Sequence, residues 1–149
     1  MSDNKKENVI KKLEKRIVEP IIPHFTLRDV LQIIVGASIL AVPVGFTEEA
    51  WSLGETLPTL NILGLLALSL VFILLFTYYE YHKHETERRH KELVTRVIST
   101  YILSFIIVSI ILGLIQRTPW SIDWLLAFKR VVIVTFPSSL SAILADTLK

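Results

Sequence analysis

The sequence predicts an all-α polytopic membrane protein with four transmembrane helices and a short N-terminal amphipathic helix. Three observations carry this. Of 149 residues, 52% are hydrophobic and 20% charged, with a mean hydropathy of +0.53, a more apolar balance than soluble domains of ordinary usage show. The apolar residues are gathered into four runs, Leu27 to Phe46, Leu57 to Tyr79, Leu93 to Ile115 and Trp124 to Leu148, each near the roughly 20 residues a helix needs to cross a hydrocarbon core of about 30 Å. None alternates with period two, as a barrel strand would, and a helix satisfies its own backbone polar groups in lipid.

The N-terminal segment, residues 1–25, is basic. From Asn4 to Val18 it places Val9 or Ile10, Leu13 and Ile17 on one helical stripe flanked by Lys5, Lys12, Lys15 and Arg16, the pattern of an interfacial helix attracted by anionic lipid or of a solvated helix that enforces topology. Pro20 and Pro23 end it, and Thr26 with Asp29 forms a capping-box start for the first span. This charged, proline-containing segment does not resemble the short basic region of a cleavable signal peptide. Residues 26–149 form the transmembrane domain. Between spans two and three no Gly, Pro or Asn interrupts the chain from Leu65 to Leu112, so both helices should continue past the membrane as a hairpin near residues 80–93. The pairs Glu80 with His84, Glu85 with Arg89 and Glu87 with Lys91 have the four-residue spacing that supports this.

Thirteen of the sixteen Lys and Arg residues fall in the N-terminal segment, at the start of span one, in the hairpin and at Lys149; only Arg117, Lys129 and Arg130 fall on the other side. Basic segments stay inside, so both termini are expected in the cytoplasm and the protein in the plasma membrane. Topology accounts for the basic residues, and nucleic acid is not an expected partner. No Cys is present, which excludes disulfides and thiolate metal sites. His82 and His84 are two residues apart and do not share a helix face, so no metal site and no cofactor are expected. Nor is an enzyme, for no Ser, His and acid set shares one depth and no glycine loop could cradle phosphate.

Span one carries Ala37, Ala41 and Gly45 at four-residue spacing, a small-residue stripe that admits close helix approach, and Glu49 continues the spacing. Pro43 removes a hydrogen bond to Ile39 and should kink or break the helix. Thr47 then reads as an N-cap for a new turn whose first residues, Glu48 and Glu49, suit the positive helix end. Two readings follow: a broken helix with carboxylates at a cation site, or a span that ends at Phe46 with both glutamates exposed and Trp51 at the headgroup level. Repeated around an oligomer, the glutamates would form rings of negative charge that select cations. The stretch Gly36-Ala37, Ala41, Pro43, Thr47, Glu49, Trp51 and Leu53-Gly54 resembles the motif of an uncharacterised family of small prokaryotic integral membrane proteins, a domain of unknown function. The resemblance implies a single acid at the position of Glu49, favouring it over Glu48, and brings no biochemical activity with it.

In span four, Lys129 and Arg130 lie one to two turns inside Trp124. Charges within a span are functional candidates, here an intramembrane pair or gate with Glu48 or Glu49 as partners. The alternative starts the span at Val131, lays Ser121 to Phe128 along the interface and lets both cations snorkel to water. Pro137 should kink the helix, and Ser138, Ser139 and Ser141 either line a polar path or pack closely. The resulting expectation is a homo-oligomeric ion channel or ion-transport protein conducting an inorganic cation, with the lipid bilayer as its surroundings. The alternative is a non-conducting scaffold or sensor that binds lipid or a cytoplasmic partner.

Overall fold

The computed structural model describes residues 6–11, 26–82 and 89–148, and side chains among these except at 81–92. All regular structure among them is helical: a helical segment over residues 6–11 (α1), then α2 (Leu27–Gly45), α3 (Glu48–Thr56), α4 (Thr59–His82), α5 (Arg89–Leu114) and α6 (Trp124–Thr147). Four of them, α2, α4, α5 and α6, are long and apolar enough to cross a membrane. Of the amphipathic helix expected over Asn4 to Val18, residues 6–11 are described, with Lys11 and Glu7 paired across one turn at 3.6 Å; the remainder lies outside the described residues. So do the hairpin at 83–88 and the side chains of its three expected pairs. Where the chain is described, α4 runs past Tyr79 to His82 and α5 begins at Arg89, four residues before Leu93, as unbroken helix propensity requires.

The local chemistry of each helix end is legible. Thr26 caps α2: its N–H donates to Asp29 Oδ2 at 2.9 Å and its Oγ1 accepts from the Asp29 N–H at 3.4 Å, the reciprocal capping box. At the far end α2 carries Pro43 within it and stops at Gly45, so the break falls two residues after the proline. The Ile39 carbonyl loses a donor at Pro43, while Phe46 still donates to the Val42 carbonyl at 3.2 Å. Thr47 takes the N-cap backbone of α3, but its hydroxyl donates back to the Val44 carbonyl at 2.7 Å and makes no cap bond. α5 closes with Gln116 at φ 58° and the Arg117 N–H on the Leu112 carbonyl at 2.9 Å. This is the left-handed helix stop usually given to glycine, here holding a glutamine. α6 starts at Trp124, capped by Asp123, whose Oδ1 accepts from the Leu126 N–H at 3.0 Å. The helix thus begins seven residues before Val131, and Lys129 and Arg130 lie in its second turn.

α6 is the central and most buried span, touching α2, α3, α4 and α5; α2 and α4 each touch α5 and α6 but not one another among the described residues. The bundle is therefore rhombic, with α5 and α6 on the short diagonal and their seam covered on both flanks. On α5 the exposed residues Val94, Ile98, Ile102, Ile106 and Ile110 recur every four residues, an apolar outer stripe suited to lipid and unusual on soluble proteins. The core at the α3 end is aliphatic, with Ala41, Ile62, Val108, Leu112, Val131 and Val134 packed together.

Candidate functional site

At the end of the bundle where α3 lies, the charged residues predicted in span four are found, but with other partners than the expected ones. Arg130, whose side chain is 12% exposed, donates from Nη2 to Glu55 Oε1 at 2.5 Å, from Nη1 to the Arg117 carbonyl at 2.7 Å and from Nε toward the Trp51 carbonyl at 3.4 Å. Lys129 donates to the Leu57 carbonyl at 2.9 Å. Glu48 and Glu49 are not the partners: both are exposed, and no ion pair engages either among the described residues. The reason is the break after Gly45. Because α3 is a separate helix, Glu49 leaves the Ala37, Ala41, Gly45 stripe, and the C-terminal part of α3 faces α6. Arg130 reaches across because Gly54 has no side chain; a Cβ there would come within 2.6 Å of Arg130 Cγ. Trp51 completes the clamp by donating from Nε1 to the Gly45 carbonyl at 2.8 Å while the Arg117 guanidinium stacks 3.7 Å over its ring, a cation–π contact. Backbone left open where α2 ends is thus closed by a side chain, as membrane depth demands.

The small-residue stripe also has its partner, and it lies within the chain. Ala37 and Ala41 are fully buried, Ala37 against Ala142. A Cβ on Gly36 would meet Ala145 Cβ at 2.5 Å, Ala142 Cα at 2.9 Å and the Ser141 carbonyl at 2.9 Å. α2 and α6 are in backbone contact there, so the stripe gives no reason for a second copy. Pro137 sits inside a helix that continues to Thr147. Beside it, Ser138 and Ser139 are fully buried and donate to the Val134 and Phe136 carbonyls of their own helix at 2.7 and 3.0 Å, while Ser141 is half-buried.

Away from α3, at the other end of the bundle, lies a pair that reasoning from the sequence missed. Asp146 of α6 is fully buried, and its Oδ2 accepts from Arg96 Nε at 2.8 Å and from Nη2 of the same guanidinium. Among the described residues its Oδ1 has no hydrogen-bond partner. Along α5 from Arg96 come Thr100 and then Ser104, both fully buried at four-residue spacing; Ser104 donates to the Thr100 carbonyl at 2.8 Å, and Thr100 Oγ1 is unpartnered among the described residues. At about 1.5 Å per residue this stripe spans about 12 Å. The antiparallel register set by Arg96 and Asp146 brings Ser104 level with Ser138 and Ser139. Thr135, also fully buried with an unpartnered Oγ1, lies one turn further, before Val108, Leu112, Val131 and Val134 close the seam. The signal was present in the spacing of Arg96, Thr100 and Ser104, but Arg96 and Asp146 read as residues at span ends.

A family model described as "Putative integral membrane protein (DUF2391)" matches residues 1–147. No curated protein and no solved structure matches the chain. With the match spanning nearly the whole length and four long apolar helices in one bundle, the chain belongs to this family of integral membrane proteins of unknown function.

Proposed function

We propose that the chain is a small cation-transport protein of the plasma membrane, with both termini cytoplasmic, Glu48 and Glu49 at the outer mouth and the seam between α5 and α6 as the inner path. The observation that carries this reading is the seam. Asp146, Thr100, Ser104, Ser139 and Thr135 are buried polar residues of α5 and α6 at successive levels over about half the length of the spans, flanked by α2 and α4, with the Ser104 and Ser139 hydroxyls bonded to carbonyls of their own helices. Polar and ionisable groups are expensive at such depth, and where they persist they mark ion paths. At the opposite end the nearby cations Lys129 and Arg130 are held by Leu57 and Glu55, so the two outer carboxylates remain available to attract a cation. The section between Thr135 and the α3 clamp is packed with aliphatic side chains, and conduction requires it to wet, as hydrophobic constrictions do when they gate. Because the α2 stripe is occupied by α6, the path needs no second copy.

Glu49→Gln tests the outer mouth. A unit charge is worth about 1 kcal/mol at 4 Å in bulk water, or up to about fivefold in local cation population, so cation flux into liposomes should fall by up to that factor. Stability should change by less than about 0.5 kcal/mol, because the exposed carboxylate has no pairing to lose. Glu48→Gln should matter less. A large loss of melting temperature with unchanged flux would instead assign Glu49 a structural role. Absence of flux in wild type under every cation gradient and voltage would replace transport by the scaffold reading. Orientation is checked separately: Ser52→Cys should react with an impermeant thiol reagent added to intact cells and Ser2→Cys should not, the reverse pattern inverting the topology.

A further inference from the structure

We propose that the groove between α4 and α6 binds one acyl chain of a phospholipid from the leaflet at the Asp146 end of the bundle; this stands apart from the transport reading above. The groove has a volume of about 550 Å³ and is lined by Phe72, Phe76 and Tyr79 of α4 and by Leu140, Ile143 and Leu144 of α6. Its floor is the buried Ile143 and the half-buried Phe76, both part of the core packed around Ile73 and Tyr101. Its rim residues Phe72, Tyr79 and Leu144 are 40%, 66% and 46% exposed, so it opens on the outer face of two spans, where the bilayer lies. At the deep end the Phe72 ring meets that of Phe136, one turn before Leu140, with centroids 6.2 Å apart.

Chemistry, length and size select a hydrocarbon chain as the occupant. Apart from the Tyr79 phenol at the mouth, every lining side chain is apolar, so a polar ligand, or an extended peptide with its N–H and C=O groups, would leave those groups unpaired at membrane depth. From Tyr79 to Phe72 the groove runs about 10 Å along α4, at about 1.5 Å per residue. That length fits within one leaflet, about half of a hydrocarbon core of roughly 30 Å, and Tyr79 stands where tyrosine rings meet the head groups. A cavity of about 150 Å³ holds one benzene, so this groove takes a chain rather than a single ring. A second copy would need a face of about 20–30 residues, and the groove offers seven. α4 is the least buried of the four spans and touches only α5 and α6 among the described residues. Because helices in lipid are held by packing rather than by a hydrophobic drive, a chain seated here extends the contact that Ile73 and Ile143 begin.

The test uses the full chain in phosphatidylcholine nanodiscs doped with a phosphatidylcholine that carries a diazirine midway along one acyl chain, with the residues labelled on illumination quantified by mass spectrometry. Ile98 and Ile102 of the outer α5 stripe, 48% and 51% exposed, are the reference, since they meet bulk lipid at a similar level. Labelling of Leu75 and Leu140, which line the groove and are aliphatic like the reference, is expected to be several-fold higher. Leu144→Trp fills the groove from its exposed rim and should bring their labelling down to the reference while leaving α5 unchanged. Equal labelling of groove and stripe in wild type overturns the proposal and leaves only bulk lipid against the bundle. Labelling below the stripe also overturns it, giving the groove to a second copy or to another segment of the chain. Labelling that stays high in folded Leu144→Trp overturns the placement of the chain between α4 and α6. If that variant does not fold, the wild-type ratio decides.

Discussion

Gly36→Val should lower the thermal stability of the detergent-solubilised protein more than any other single small-to-large change in α2. The introduced Cβ would lie within 3 Å of Ala142 Cα and the Ser141 carbonyl as well as the Ala145 methyl, and backbone atoms of a neighbouring helix cannot rotate away. α2 must therefore be displaced from α6, the helix against which its buried residues Ile33, Ala37 and Ala41 pack. Overpacking costs about 1–3 kcal/mol and occasionally more, and a clash with backbone belongs at the upper end. Gly64→Ala is the matched control, since a Cβ there meets nothing within 4 Å. It should be neutral or slightly stabilising, because alanine is favoured over glycine in a helix by about 1 kcal/mol. Melting curves of the two variants that coincide would show that α2 and α6 do not approach so closely.

The second large effect is expected at Arg96. Arg96→Met removes both donors to Asp146 Oδ2 and leaves a fully buried carboxylate without its counter-ion. Removing one partner of a buried pair costs about 3–5 kcal/mol, while replacing both by neutral groups costs much less. The double variant Arg96→Met with Asp146→Asn should therefore recover most of the stability lost by Arg96→Met alone. The measurement is a double-mutant cycle on melting in detergent, and strict additivity of the two single changes would contradict a direct pairing. Arg130→Met should be milder, since its acid partner Glu55 is 60% exposed and regains water when released, so the loss is mainly that of the donors to the Arg117 and Trp51 carbonyls.

What the sequence by itself determined about this protein is what depends on runs and on near neighbours. Four apolar stretches of span length could satisfy their backbones in lipid only as helices, and their predicted boundaries lie within about four residues of the observed ones. The capping box at Thr26 and Asp29 joins residues three apart, and the break after Pro43 follows from a missing N–H; both are local chemistry. The stripe of Ala37 and Ala41 was equally legible as a surface for close approach.

Its partner was not. A small-residue stripe states that something comes near, without stating whether that is another copy or α6 of the same chain, and only the packing of Gly36 against Ala142 and Ala145 decided it. The ion pairs were hidden for the same reason. Arg130 meets Glu55 across 75 residues and Arg96 meets Asp146 across 50, separations at which spacing carries no information. Charge and depth alone pointed to Glu48 and Glu49, but the turn at Phe46 and Thr47 sets α3 so that Glu55 faces α6 while the first two glutamates face outward. In lipid, pairing is decided by which polar groups the helix register brings together, since every buried charge must find a partner within reach. That register is a property of the assembled bundle.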